Sequence, residues 1–315
     1  MIDWAREQLA QRGVAITGEP LLVHGRPWSH VVRIPTDRGA MFCKTVIPAL
    51  AYEVPITSAL ARWMPDRVTQ VVASDPERRM LLMEDAGERL RARIERDHDI
   101  VAWQGILRRY AELQIAVAPH ANELVGMGAP DRRASVLASA FEKVVSSDEL
   151  LTIAGPHSVT PEDLRTLRSL VGRVRSMCDE LAGTIPDTIQ HDDLHDGQIF
   201  IRDGVVRFLD WGDSNVSHPF FTLVVFQRHF AHALGCDESD PRVARLRAEY
   251  LEPFTAVAPR SRIDACLPIA LRLGRLCRAL TWRDLVRHLP LEDRDREMVP
   301  GWFQVFLESC KEGWG

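Results

Sequence analysis

Gln190-His191-Asp192-Asp193-Leu194-His195-Asp196-Gly197-Gln198 and, a little further on, Phe208-Leu209-Asp210-Trp211-Gly212-Asp213 are the two most acidic, motif-like stretches of the chain. Between them stand Ile199-Phe200-Ile201-Arg202, then Asp203-Gly204, then Val205-Val206-Arg207-Phe208-Leu209. Two β-rich runs joined by Asp-Gly predict a tight hairpin, since that dipeptide accommodates the positive φ of a type I′ turn. A hairpin brings its ends together, so Asp193, Gln198 and Asp210 are expected to converge on one small volume. Clustered carboxylates repel unless a cation or a basic group compensates them. That is a physical reason to expect a bound metal.

Upstream the texture is different. Residues 3–12 read as a short amphipathic helix. Leu21-Leu22-Val23 ends in His24-Gly25, Val31-Val32-Arg33-Ile34 follows, and the turn Thr36-Asp37-Arg38-Gly39 leads into Met41-Phe42-Cys43-Lys44-Thr45-Val46. Three β-rich runs separated by turn residues predict an antiparallel meander. Apolar residues recur at helical spacing through Leu50–Met64. Val68–Ala73 and Met80–Met83 then read as two more strands, joined by Asp75-Pro76-Glu77-Arg78. From about Gly87 the chain is mostly helical, with long periodicity over residues 98–118, 161–182, 222–234, 241–251 and 264–287. The expected class is α+β, with a small antiparallel β-rich N-terminal lobe over residues 1–85 and a larger helical lobe over 86–315.

The 315 residues are enough for two cores. A formal net charge of −5 argues against a nucleic-acid partner. The opening residues lack a basic stretch followed by an apolar core, and no apolar run approaches the ~20 residues of a membrane span, so neither a signal peptide nor a membrane partner is expected. Six scattered cysteines (43, 178, 236, 266, 277 and 310) form no CxxC pair. They suit reduced thiols in the cytoplasm and give no zinc framework.

His191-x-Asp193-Leu-His195-x-x-Gln198, followed 17 residues after Asp193 by Asp210-Trp-Gly, resembles the catalytic loop and metal-binding triplet of the aminoglycoside phosphotransferase and choline kinase-like small-molecule kinases, within the protein-kinase-like superfamily. Landmarks in the N-terminal half follow in the family's order: a hairpin around Gly25, Lys44 closing the third strand, Glu53 entering a helix nine residues later, and Leu81-Leu82-Met83-Glu84-Asp85 leading out of the lobe. The likeness covers about residues 20–235. It implies a bilobal protein-kinase-like fold and transfer of the γ-phosphate of ATP or GTP to a hydroxyl of a small molecule, with Mg²⁺. Phosphoryl transfer passes through a loose transition state and asks mainly for positioning and charge neutralisation. On the resemblance, Asp193 orients the acceptor hydroxyl and takes its proton late, and His195 stands where a γ-phosphate contact is expected. Gln198 and Asp210 ligate the metal. Lys44, with Glu53 as its ion-pair partner, reaches the α/β-phosphates. Gly25 and Ser29 serve the phosphate loop, and the backbone of Met83, Glu84 and Ala86 holds the adenine edge.

The departures from the pattern matter. Gln198 replaces asparagine, which pushes its carbonyl about 1.5 Å outward. His24-Gly25-Arg26-Pro27-Trp28-Ser29 is no G-x-G-x-x-G loop, so close backbone approach is expected only near Gly25, with the Ser29 hydroxyl replacing a missing amide contact. Phe42 stands where an alanine is usual over the adenine ring. His218-Pro219 and Thr222 replace acidic residues, and Thr222 reads as a helix cap. No Ala-Pro-Glu closes an activation segment, which argues against a protein kinase. An alternative is a pseudokinase-like protein that holds nucleotide without transferring phosphate. Another takes His191-Asp192 as the pair of a metal-dependent phosphohydrolase, but that chemistry wants the pair on a helix, and the sequence places His191 on a loop. The acceptor stays open among aminoglycosides, amino sugars, other sugars, choline-like alcohols and the hydroxyls of other antibiotics. The acidic segment Leu291–Glu297 is either a solvated helix face or the lining of a cationic pocket. Trp282 and Trp302 are core residues or sugar-stacking ones.

Overall fold

The structure, a computed structural model, describes residues 1–97, 103, 105–147, 149–152, 158–289 and 297–311. Its residues group into two compact units. The first comprises Met1–Ala102, Gly126–Ala129 and Asp196–Gly212, and the second the intervening stretches and the C-terminal part.

In the first unit the expected meander is present. Strands β1 (Leu21–Arg26), β2 (Ser29–Thr36) and β3 (Gly39–Val46) pair antiparallel, and β4 (Val71–Asp75) and β5 (Met80–Glu84) complete a sheet of order β1-β2-β3-β5-β4. Alternation along β2 and β3 turns Val32, Ile34, Met41 and Cys43 to one face. Helix α1 (Ile2–Gln11) covers that face with Trp4, Ala5 and Leu9. Helix α2 (Glu53–Trp63) begins at Glu53, which leaves Pro55 in the first turn, where a missing N–H costs nothing. Strand β4 starts three residues later than the sequence pattern suggests. Val68 is buried in the preceding loop, and the Gln70 carbonyl accepts the Glu84 N–H.

The central hairpin also forms as expected. β8 (Ile199–Arg202) and β9 (Val205–Phe208) pair about Asp203 and Gly204, whose φ values of 53° and 75° are those of a type I′ turn. The hairpin groups with the N-terminal sheet. β6 (Glu88–Arg89) pairs with β8, the Phe208 N–H donates to the Arg67 carbonyl, and Arg202 donates to the Asp85 carbonyl. Helix α3 (Leu90–Asp97) follows β6 directly.

Gly87, at φ 102°, sits so close to this hairpin that a Cβ there would run into the Ile201 carbonyl. Gly87→Ala is therefore expected to destabilise by about 3 kcal/mol or more, combining positive-φ strain with a collision against backbone. Urea unfolding within about 0.5 kcal/mol of wild type would contradict that close approach.

The second unit is helical: α4 (Ile106–Val117), α5 (Ala121–Gly126, its last residue grouped with the first unit), α6 (Ala134–Ser147), α7 (Pro161–Ser169), α8 (Val171–Leu181), α9 (Leu223–Leu234), α10 (Pro241–Leu251), α11 (Arg260–Val286) and α12 (Met298–Lys311), with β7 (Thr188–Gln190) paired antiparallel to β10 (Asn215–Ser217). The single helix expected over 161–182 is two, broken at Leu170. Thr160 and Asp163 form a capping box at the start of the first. α11 runs down the middle, packing on α12, α8 and α9, and its Gly274 admits Phe221 and Val224 at close range. An aromatic cluster of Phe220, Tyr250 and Phe254 fills the core beside α10. Residues 98–102 of the helix expected at 98–118, and most of the acidic segment 291–297, lie outside the described residues. Trp282 and Trp302 each carry a guanidinium over the ring, from Arg278 and Arg228. The six cysteines are unpaired. Among the described residues no helix is long and apolar enough to cross a membrane.

Candidate active site in two parts

The first part lies within the first unit and is centred on Lys44. This lysine is 6% exposed, on β3 between partners Val31 and Leu81. Its Nζ donates to Glu53 Oε1 at 2.5 Å and to Asp210 Oδ1 at 2.6 Å. Burial alone would strip the proton from an ammonium. The carboxylates of Asp210 and Glu53 more than reverse that, so Lys44 titrates above the ordinary lysine range. Glu53 is 2% exposed, whereas the Asp210 side chain is 45% exposed and open to solvent.

The Asp210-Trp211-Gly212 turn explains itself residue by residue. Asp210 has φ 66°, a left-handed conformation that aspartate tolerates better than most residues. Trp211 is fully buried, and its indole donates to the Phe208 carbonyl at 3.2 Å. A Cβ on Gly212 would stand 3.1 Å from Glu53 Oε2, a tight approach that a side chain here would relieve only by shifting the glutamate. Tyr52, which the sequence reading did not single out, donates from its hydroxyl to the Gly212 carbonyl at 2.5 Å. Across the hairpin ends, the Leu209 N–H donates to the Gln198 carbonyl at 2.9 Å, so Gln198 and Asp210 stand next to one another along the paired backbone.

The carboxylates are already compensated by basic side chains, Asp210 by Lys44 and Asp193 by Arg278. Repulsion therefore does not itself demand a cation. The donor set fits one nonetheless: a solvent-accessible carboxylate and a half-buried amide carbonyl are hard oxygen ligands of the kind Mg²⁺ takes together with waters and substrate phosphates. Among the described residues no group of three or more His, Cys, Asp or Glu is arranged so that it could hold a metal ion by itself.

The segment 24–29 is no open loop. His24, Gly25 and Arg26 belong to β1, Ser29 opens β2, and only Pro27 and Trp28 turn between them. Gly25 pairs with His30, and a Cβ there would meet Leu22 and His30 only at ordinary contact distances. His24 feels both Asp210 and Lys44; burial lowers its pKa, and Lys44 adds to that against the pull of Asp210. Of the residues expected at the adenine edge, Met83 lies in the sheet between Phe42 and Val71. The Glu84 N–H donates to Gln70, the Glu84 carbonyl accepts from Thr69 at 3.1 Å, and the Asp85 carbonyl accepts from Arg202 at 3.0 Å. Ala86 is buried.

The second part lies within the second unit. Asp193 follows β7, and its Oδ1 accepts from Arg278 Nη2 at 2.8 Å while Oδ2 stands 3.5 Å from His195 Nε2. Burial raises the Asp193 carboxyl. Arg278, joined by the hydrogen bond and charge of His195, reverses this and holds the group well below the usual carboxylate range. The His195 ring stacks on that of His229 from α9, with centroids 4.6 Å apart. Asp192 is buried at φ 62°, bonded to Thr281 and, at 3.0 Å, to Gln190. His191 has a structural tie, its N–H donating to the Tyr110 hydroxyl at 2.9 Å. Thr222 does not cap α9 with its side chain as expected. It is buried and donates instead to Tyr110, which links it to the loop by another route.

The protein has the protein-kinase-like α+β fold of the small-molecule kinases that act on aminoglycosides and on choline or ethanolamine. Among solved structures it is similar to a choline/ethanolamine kinase family protein from Mesorhizobium loti, at TM-score 0.62 and 15% identity over 98% of this chain and 95% of that one. It is likewise similar to wild-type aminoglycoside 2′-phosphotransferase-IIIa in its GDP complex (0.61, 12%, 98% of each) and to macrolide 2′-phosphotransferase type I (0.54, 14%, 97% and 96%). At these identities the likeness is one of fold. No family model and no curated protein matches the chain.

Proposed function

We propose that the protein is a small-molecule phosphotransferase that moves the γ-phosphate of ATP or GTP onto an alcohol group. The observation that carries this reading is the buried Lys44 bridging Glu53 and Asp210, residues 166 positions apart in the case of Asp210. A β-strand lysine fixed by a helix-entry glutamate and facing a metal-type aspartate is the arrangement with which protein kinases position the phosphates for transfer to a hydroxyl. The GDP complex of a structure sharing this fold supports a nucleotide co-substrate.

In this reading residues 1–85 hold the nucleotide and 86–315 carry catalysis and the acceptor. Lys44 contacts the phosphates and Glu53 keeps it in place. Gly25 and Ser29 on the first hairpin cover them, and the backbone near Met83, Glu84 and Ala86 takes the base. Since Glu84 and Asp85 already spend backbone groups within the protein, Ala86 is the favoured contact. Gln198 and Asp210 would hold Mg²⁺, which supplies neutralisation of phosphate charge. The acceptor oxygen bonds to the γ-phosphorus, the bond to the bridging oxygen of the nucleoside diphosphate breaks, and the hydroxyl proton passes to Asp193. His195, beside Asp193, is the candidate contact to the transferred group. Unpaired cysteines suit the cytoplasm.

Millimolar ATP or GTP with Mg²⁺ is expected to raise the melting temperature by several degrees, because ligand at ~100 Kd stabilises by about 2.7 kcal/mol. ADP release with a panel of sugars, aminoglycosides and amino alcohols then identifies the acceptor. Absence of both signals would sink the reading. The first hairpin, too tight for a glycine-rich loop, and Gln198 favour a second reading as a nucleotide-binding pseudokinase; binding without turnover on any acceptor would select it.

A further inference from the structure

No sequence motif surrounds Arg278, yet its guanidinium holds the acidic floor of the second unit together. It is 3% exposed on α11. One arm donates to Asp213 Oδ2 at 2.6 Å and the other to Asp193 Oδ1 at 2.8 Å. Asp192 lies 4.0 Å from the first arm, and Trp282 lies under the cation, 5.2 Å from its centre. A buried guanidinium and three neighbouring carboxylates are each costly alone. Together they compensate, and the planar fork serves two carboxylates at once, which a lysine does not do. The geometry is also asymmetric. Arg278 is closed off, while Asp193 keeps 25% of its side chain exposed.

We propose that Arg278 is the positioning residue of the phosphotransfer site, a fixed fork that bridges Asp193 and Asp213 and so holds the Asp193 carboxylate in one orientation. The inference rests on the reading of Asp193 as the residue that orients the acceptor hydroxyl. The groups facing Asp193 are Arg278 from α11, His195 of its own loop with His229 of α9 stacked behind, His191 after β7, Asp192 beside it, and Asp213 beyond the hairpin. Burial raises the Asp192 carboxyl despite Arg278 and Thr281, and at 4.0 Å it stands furthest of the three from the guanidinium. Arg278 thus serves chiefly Asp193 and Asp213.

Two variants test this. Arg278→Lys keeps the charge and loses the fork. Arg278→Met combined with Asp213→Asn removes the fork together with one carboxylate it would strand, which protects folding. With Mg²⁺-ATP and the acceptor giving the highest ADP release in the panel, Arg278→Lys is expected to lose about 10–100-fold in kcat, as misplacement by an ångström does. Its KM for ATP should stay within about twofold. In the double variant the acid limb of kcat should move up by about 1–3 pH units, the shift an adjacent opposite charge accounts for. Carboxyl ¹³C NMR of aspartate-labelled protein, with Asp193 assigned through Asp193→Asn, should show the same displacement without substrate. Wild-type kcat in Arg278→Lys with an unmoved Asp193 midpoint in the double variant overturns the proposal, as does a joint fall of kcat and nucleotide affinity. If the wild type neither binds nucleotide nor releases ADP, the phosphotransfer reading fails instead, and the carboxyl titration alone decides whether Arg278 holds Asp193.

Discussion

Asp193→Asn is expected to lower kcat by about 10²–10⁴-fold, the range for removing a positioned proton acceptor, while nucleotide affinity with Mg²⁺ stays within about twofold. The substitution is close to isosteric, and the asparagine carbonyl can still accept from Arg278 Nη2, so the floor of the site keeps its packing. What is lost is charge and basicity at one atom. Lys44, Glu53 and Asp210, which carry the nucleotide reading, are held together by the Lys44 ammonium. The variant also has a signature in stability. Asp193 titrates below the usual carboxylate range in the folded protein. A depressed carboxyl contributes stability above its unfolded pKa of about 3.9 and loses it as pH falls through the folded value. Asp193→Asn should therefore be less stable than wild type at pH 7, with the gap narrowing below about pH 4. Urea titrations at both pH values measure it. A variant with near wild-type kcat on the true acceptor would remove Asp193 from the chemistry.

Much of this was legible in the sequence because it rested on local rules. Asp203-Gly204 can hardly be anything but a type I′ turn between two β-rich runs, and that turn fixes where Gln198 and Asp210 stand. Lys44 and Glu53, nine residues apart, are joined as the spacing suggests. What the sequence hid is nonlocal. Arg278 is 85 residues from Asp193, and no motif surrounds it. One signal existed: Ala270, Leu273, Gly274, Cys277 and Thr281 follow helical spacing, and Arg278 falls on that same stripe. A charge on the core face of a helix must find a buried partner, and the only acidic cluster flagged upstream was 190–213. Tyr52 and Tyr110 were hidden for a related reason. Each uses its hydroxyl as a tie to a distant backbone group, and Tyr110 buries its ring in the core as well, a double use that composition does not reveal. Thr222 misled because its place before α9 looks like a cap, yet the site is fully buried and the hydroxyl turns to Tyr110. The hairpin expected around Gly25 is present, but strand pairing continues almost to its tip and leaves Pro27 and Trp28 as the turn.

Lys44→Met is expected to cost about 3–5 kcal/mol of stability and to abolish measurable nucleotide binding, because removing one partner of a buried pair strands the other. The stranded group is Glu53, 2% exposed and so shut off from water. Asp210, at 45% side-chain exposure, can be solvated and contributes less to the loss. The pH dependence follows from the direction of the shift. Lys44 titrates above its unfolded pKa of about 10.4, so its contribution is fully present below that value and is lost only as pH rises through the folded one. At pH 7 urea unfolding therefore sees the whole effect. Adding Glu53→Gln to Lys44→Met removes the stranded charge and should return most of the lost stability without returning nucleotide binding. That separation is the decisive result, since it divides the structural ion pair from the phosphate contact. If the double variant binds Mg²⁺-ATP as wild type does, Lys44 holds the fold alone, and the nucleotide must be sought elsewhere on the molecule.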